Sequence, residues 1–128
     1  MAAIYKHNAY KTGIQLPFGT KVGGGLHFPH YGCQIIHYDA KLGNNVWIFQ
    51  GVTIGCMRGK RGAPNIGNNV ILFSGARVIA GVTLGDNVVV GAGAVVIHDV
   101  PSGSVVAGVP AKVVSQKGEE ITRLYIAE

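Results

Sequence analysis

The chain has 128 residues, of which 48% are hydrophobic and only 13% are charged, and its net charge is +5. This composition suits one domain and is too apolar for a disordered chain. No run of about 18 apolar residues occurs, so no membrane span is expected. The positive charge admits an anionic ligand, but without a motif or interleaved aromatic residues it does not predict nucleic-acid binding.

The N-terminal segment, Met1 to Tyr10, is polar and lacks the apolar core of a signal peptide. The two cysteines, Cys33 and Cys56, are too few for a disulfide framework. Both observations favour a reducing compartment, and we expect a cytoplasmic protein.

A six-residue period of apolar residues begins at Val22 and Phe28, but its next member, Ile36, comes eight residues later. Two extra residues must therefore bulge from segment 29–33, which contains His30. A bulge takes side chains out of a regular stacking pattern, and functional residues often lie in such places.

From residue 42 the period is regular. The aliphatic positions are Leu42, Ile48, Ile54, Ile66, Leu72, Val78, Leu84, Val90 and Val96. Glycine followed by Asn or Asp recurs at 43–45, 67–69 and 85–87, and these residues suit corners with positive φ. Residues 67 and 85 are 18 apart, so one coil holds three hexapeptides. The sequence predicts a parallel β-helix, because an amphipathic helix would repeat every 3.6 residues and a sandwich would alternate over longer strands.

Segment 56–64 interrupts the repeat without changing its register, since residues 43 and 67 lie 24 apart. Arg58, Lys60 and Arg61 make this glycine-rich segment the most basic stretch of the chain. A loop that projects from a rigid prism suits a substrate-binding role, and a solvated surface excursion is the alternative.

Beyond Val100 the period fades into Pro- and Gly-containing loops, and the final residues, 118–128, form either a short helix or an added strand. We therefore predict a single domain over 1–128. Its repeat core spans about 20–100, its protruding loop spans 56–64 and its C-terminal tail spans 101–128.

Several stretches resemble the hexapeptide acyltransferases, specifically their serine acetyltransferase branch. These stretches are 20–23 (TKVG), 25–30 (GLHFPH), 49–55 (FQGVTIG), 64–67 (PNIG), 90–96 (VGAGAVV) and 106–112 (VAGVPAK). The resemblance implies a left-handed parallel β-helix, acetyl-CoA as co-substrate, and a homotrimer whose active sites lie between subunits.

The resemblance also implies that His30 is the general base and that Gln15 stands where an aspartate orients the histidine. A neutral imidazole can take the proton of a hydroxyl as that hydroxyl attacks the thioester. The positions implied for contacts with the cofactor are Gly55, Ser74, Gly75, Ala92, Gly93 and Lys112.

The sequence departs from the serine enzymes at the residues nearest the acceptor. Gly62 and Ala63 replace the arginine and histidine that precede the proline ending the loop, and Pro29 replaces the aspartate before the base. Since a serine carboxylate would lose its partner, we expect O-acetylation of a sugar, such as a precursor of cell-surface polysaccharide. Serine O-acetylation in cysteine biosynthesis is the alternative.

Three rival functions remain. A zinc enzyme of the γ-carbonic anhydrase kind would need about three convergent ligands, but His27, His30 and His37 come from different sides of one coil, so no metal is expected. A non-catalytic scaffold would bind no CoA. Thiol catalysis lacks an obvious Cys-His arrangement, although Cys33 lies three residues from His30.

Overall fold

The computed structural model describes residues 2–58 and 62–126 of the chain. In chain order the elements are α1 (Ala2–Thr12), β1 (Ile14–Gln15), β2 (Lys21–Val22), β3 (Gln34–Ile36), β4 (Lys41–Leu42), β5 (Trp47–Ile48), β6 (Thr53–Gly55), β7 (Asn65–Ile66), β8 (Ile71–Leu72), β9 (Arg77–Ile79), β10 (Thr83–Leu84), β11 (Val89–Val90), β12 (Val95–Val96), β13 (Val105–Ala107), β14 (Lys112–Ser115) and α2 (Gly118–Ile126).

The strands form the three faces of a triangular prism. Face A contains β1, β3, β6, β9 and β12; face B contains β2, β4, β7 and β10; face C contains β5, β8, β11, β13 and β14. All neighbours in a face are parallel except β13 and β14, which are antiparallel. The chain visits the faces in the repeating order A, B, C, and this arrangement confirms the predicted hexapeptide β-helix.

The strand register confirms both predicted irregularities. On face B, Val22 pairs with Leu42, Leu42 pairs with Ile66 and Ile66 pairs with Leu84. These pairs are 20, 24 and 18 residues apart, so the first coil contains two extra residues and the next contains the six-residue insertion. The coil from Ile66 to Leu84 has the regular length of three hexapeptides.

The core is a stack of aliphatic side chains inside the prism. The periodic residues Ile48, Ile54, Leu72 and Val78 are fully buried, and their neighbours in the coils above and below are also apolar. Because each inward side chain packs on the equivalent one in the next coil, stability is built coil by coil.

The corner that joins faces B and C explains the Gly-Asn-Asn pattern. The first Asn or Asp of each block accepts a hydrogen bond, through its side-chain oxygen, from a backbone N–H in the preceding coil. These bonds are Gly24 N to Asn44 Oδ1 (2.9 Å), Asn44 N to Asn68 Oδ1 (2.8 Å) and Asn68 N to Asp86 Oδ1 (2.7 Å). The second Asn of each block has a φ near +57°, a conformation that Asn tolerates better than most residues.

Face C differs from the other faces because two of its outward residues are also buried. Ile71 and Val89, which precede inward residues in their strands, are 0% and 2% exposed. The C-terminal helix α2 packs over this face: the Gly118 N–H donates to the Gly103 carbonyl at 2.9 Å, and the Thr122 hydroxyl bonds Asn87 Oδ1 at 3.0 Å. Residues 118–126 are thus the helix of the two alternatives left by the sequence.

Within the described part of the chain, no helix has the length and apolar character required to cross a membrane.

Gly67→Ala is expected to lower the free energy of unfolding by about 1–3 kcal/mol, since overpacking forces neighbours apart. A Cβ at residue 67 would lie 2.5 Å from Asp86 Oδ1 and 2.9 Å from the carbonyl carbon of Gly85. Urea denaturation measures the change. Gly24→Ala is the matched control, because a Cβ there meets nothing within 4 Å at the same corner of the first coil, and its effect should stay below about 0.5 kcal/mol. Equal effects of the two substitutions would contradict the close-approach explanation.

Candidate active site

The bulge that carries His30 lies at the corner where face C leads into face A. His27 forms a bridge with Trp47 of face C, and the chain enters face A again at β3. The two extra residues of the first coil therefore fall between His27 and β3, as the spacing predicts. The His30 side chain is exposed, which leaves its imidazole accessible to a ligand.

A buried glutamine holds the bulge in shape. Gln34 is 0% exposed, its Nε2 donates to the carbonyl of His30 at 2.6 Å and its Oε1 accepts from the Gly32 N–H at 2.9 Å. One side chain thus satisfies two backbone groups that the bulge removes from the strand ladder, and each such bond contributes about 1 kcal/mol. Sequence reasoning missed Gln34, although a polar residue in an inward slot of the repeat was an available signal.

The bulge contains two consecutive residues with positive φ, Gly32 at 139° and Cys33 at 56°. A non-glycine residue in the left-handed region costs about 1 kcal/mol or more. The Gln34 hydrogen bonds offset this cost, so the bulge is a specified conformation rather than a loose turn.

Above the bulge, one glutamine and five small residues form a continuous strip, which we call the corner column: Gln50, Gly51, Ser74, Gly75, Ala92 and Gly93. Three backbone hydrogen bonds link the successive corners: Gly51 N to Gly32 O (2.8 Å), Gly75 N to Gln50 O (3.0 Å) and Gly93 N to Ser74 O (2.9 Å). With parallel strands about 4.8 Å apart, the strip runs roughly 14 Å from the bulge. The structure therefore brings His30 and four of the predicted cofactor residues to one edge of the prism.

Lys112 lies at the far end of the same edge. It pairs with Ala107 in the antiparallel β13–β14 ladder, next to the last corner between faces C and A, and its side chain is exposed. The corner column thus runs from an exposed imidazole at one end towards an exposed ammonium group at the other.

Gly55 and the basic loop lie at the opposite edge of face A from His30. Gly55 ends β6, and the loop leaves the prism where face A leads into face B. The Cys56 thiol donates to the Gly62 carbonyl at 3.3 Å and closes the base of the loop. Arg58 is exposed, whereas the predicted contributions of Lys60 and Arg61 lie outside the described residues.

Gln15 is an exposed residue of β1, paired in register with Ile35 of β3. Among residues 2–58 and 62–126, no hydrogen bond joins its amide to the His30 imidazole. Its role in orienting His30 stays a prediction.

A chain of aromatic rings runs from α2 to His30. Tyr125 of α2 contacts Trp47 and Phe73 edge-on, with ring centroids 5.8 and 5.7 Å apart. Phe73 stacks on Phe49 at 5.0 Å, and the Phe49 ring lies 6.3 Å from that of His30. The sequence did not point to this arrangement, because Tyr125 and its partners are more than 50 residues apart in the chain.

The other histidines are placed apart from His30. His27 contacts Trp47 and His37 stacks on Tyr38, in each case with ring centroids 4.4 Å apart. Across the described ranges, no three His, Cys, Asp or Glu side chains converge as a metal site would need. Desolvation, together with the nearby Asp39 carboxylate, raises the pKa of the Cys56 thiol, which disfavours the nucleophilic thiolate.

Comparisons with known proteins agree with this architecture. The sequence model of the family described as bacterial transferase hexapeptide (six repeats) matches residues 63–98. The chain is 39% identical over 116 residues to a serine acetyltransferase of Staphylococcus xylosus, covering 89% of this chain and 54% of the relative. The chain spans about half the length of the curated relatives it matches.

Solved structures give the same result. Soybean serine acetyltransferase in complex with serine superposes with a TM-score of 0.83 at 33% identity, over 88% of this chain and 47% of the soybean chain. Serine acetyltransferase of Brucella abortus in complex with coenzyme A superposes with a TM-score of 0.81 at 28% identity, over 89% of this chain and 46% of that chain.

Gln34→Met is expected to lower the free energy of unfolding by about 1–3 kcal/mol, because the substitution leaves buried backbone groups of the bulge without partners. Urea denaturation followed by circular dichroism measures the effect. Gln50→Met, which changes an exposed glutamine at the next corner, is the matched control and should be nearly neutral. Full stability of Gln34→Met would show that the bulge does not depend on this amide.

Proposed function

We propose that this chain is a hexapeptide-repeat transferase and that it transfers an acetyl group from acetyl-CoA to the hydroxyl of a small acceptor, with His30 as the general base. The observation that carries the proposal is the position of His30. An exposed imidazole lies on a braced bulge at the end of the corner column, at the edge where the family resemblance places the cofactor.

The shape of the corner column supports the binding of an extended cofactor. Gly51, Gly75 and Gly93 have φ values of 72°, 71° and 68°, and this geometry keeps side chains out of the corner. A pantetheine arm can therefore lie close to the backbone along the strip, with its thioester near the bulge. Lys112 is available to a phosphate group at the far end, as a point charge. A serine acetyltransferase similar to this chain was solved with coenzyme A bound.

The proposed reaction is a direct transfer. The acceptor hydroxyl oxygen attacks the thioester carbonyl carbon while His30 takes the hydroxyl proton, so a C–O bond forms and the C–S bond then breaks. The imidazolium returns its proton to the departing thiolate of CoA. No acyl-enzyme is required, and the negative charge on the carbonyl oxygen needs a hydrogen-bond donor such as a backbone N–H.

Serine is the acceptor that the comparisons favour. The relatives are named serine acetyltransferases, and one similar structure contains serine. This preference runs against the sugar acceptor expected from the departures in the loop, and we adopt serine as the first candidate. A sugar hydroxyl is the second candidate. Gly62 has no side chain, and the methyl group of Ala63 is uncharged and only 9% exposed, so neither residue offers a cation to a carboxylate.

The placement of the loop supports the expected assembly into a homotrimer. Within one chain Arg58 follows the A-to-B corner, whereas His30 lies at the C-to-A corner, so the two residues belong to opposite edges of face A. A threefold arrangement that brings the loop edge of one copy beside the bulge of the next would complete a site from two subunits.

His30→Ala is expected to lower kcat/KM for acetyl transfer about 100-fold or more, the size expected for a positioned base. CoA release from acetyl-CoA, measured with serine and with a panel of sugars, gives both the rate and the acceptor. His98→Ala is the matched control, because His98 is exposed at a corner between faces A and B. Retention of full activity by His30→Ala would remove the proposed base, and turnover of sugars alone would reverse the choice of acceptor.

Light scattering of the purified chain is expected to give about three times the mass of 13.4 kDa. A symmetric ring is a common solution for homo-oligomers, and here it would join two parts of one site. A stable monomer with full activity would contradict a site shared between subunits.

A further inference from the structure

We propose that Phe49, supported from behind by Phe73 and by Tyr125 of the C-terminal helix, is a positioning residue for the His30 imidazole. The proposal rests on the proposed function in one respect only, namely that His30 is the base. It assigns a role to helix α2, which lies on face C and supplies none of the cofactor or substrate residues discussed above.

The imidazole of His30 has little else to orient it. Its side chain is exposed, and in the described part of the chain it makes no side-chain hydrogen bond. Phe49 is the only described aromatic ring in contact range of His30, with a centroid distance of 6.3 Å and an interplanar angle of 49°. This separation lies within the range at which aromatic pairs attract, so the Phe49 ring limits the orientations open to the imidazole.

Phe49 cannot turn freely because Phe73 covers its other side. The two rings stack at 5.0 Å with an interplanar angle of 25°, as expected for residues at equivalent positions of neighbouring coils. In the next coil the equivalent residue is Gly91, which has no side chain to cover the Phe73 ring. The Phe49–Phe73 pair therefore needs support from another element.

Helix α2 supplies that support. The Tyr125 ring meets Phe73 edge-on at 5.7 Å and Trp47 edge-on at 5.8 Å. The helix is itself fixed at its first residue, Gly118, and at Thr122, which is 2% exposed and bonds Asn87. A continuous set of contacts thus leads from the corner between faces B and C, through α2, to the base.

The chain contains a reporter for the docking of α2. Trp47 is its only tryptophan, and Tyr125 packs against it. Trp47 fluorescence therefore reports helix docking, while the ring protons of His30 sense Phe49 through its ring current. Both readouts are independent of enzymatic activity.

The test compares four variants of the full chain: Phe49→Leu, Tyr125→Ala, Tyr125→Phe and Leu124→Ala. We expect Phe49→Leu to shift the His30 ring resonances in histidine-labelled NMR spectra, and Tyr125→Ala to shift them in the same direction by less. Tyr125→Phe keeps the ring and should restore the parent spectrum. Leu124→Ala is the matched control, because Leu124 is 80% exposed on the same helix.

In the transfer assay, Phe49→Leu should lower kcat about tenfold or more, since a misplaced group loses much of its effect, with little change in KM for acetyl-CoA. The proposal would be overturned if the His30 resonances stay unchanged in both Phe49→Leu and Tyr125→Ala. Both variants must be folded, and Tyr125→Ala must show altered Trp47 fluorescence. If the resonances move but neither parent nor variant transfers acetyl groups, the positioning contact stands and the proposed function fails.

Discussion

Every feature of this molecule depends on the hydrogen bonding of short parallel strands, which sets the coils about 4.8 Å apart. Each strand has its partners in the coils before and after it, so any residue meets its own equivalents above and below. This constraint requires glycine at residues 43 and 67, where a Cβ would collide with the next corner. It also aligns the Asn and Asp side chains that accept hydrogen bonds from one coil to the next.

The proposed active site lies where the chain departs from this regular spacing. Two extra residues create the bulge at 29–33, and a six-residue insertion creates the loop at 56–64, yet the strands on both sides keep their register. Both departures interrupt the regular hydrogen bonding between strands, and nearby side chains offset the free energy that this loss costs. Gln34 replaces the lost ladder bonds of the bulge, and Cys56 holds the base of the loop. A rigid prism thus carries exposed functional groups without becoming flexible as a whole.

The repeat and the bulge that carries His30 were predictable from sequence, because a period of six translates directly into faces and corners. The choice of Ser74 and Gly93 as cofactor positions came from the family resemblance. The packing of α2 was not predictable, since its contacts to Asn87 and Phe73 join residues that no repeat relates. The role of Gln34 was missed for a related reason: a polar residue in an inward slot reveals its partners only when the bulge geometry is known. In the proposed assembly the acceptor would contact the loop and a neighbouring subunit, and the period of one chain describes neither.

The antiparallel strand β14 changes the backbone edge that face C presents at the C-terminal end of the coils. A β-helix that ended on a bare parallel coil would offer its open backbone groups as a template on which another coil, or another molecule, could be added. On face C, β14 runs against the direction of β13 and its register shifts between Val105 and Val106, so the regular pattern is not presented beyond it. The edge of face C at this end of the coils is therefore an antiparallel strand, which does not offer the parallel register that a further coil would need.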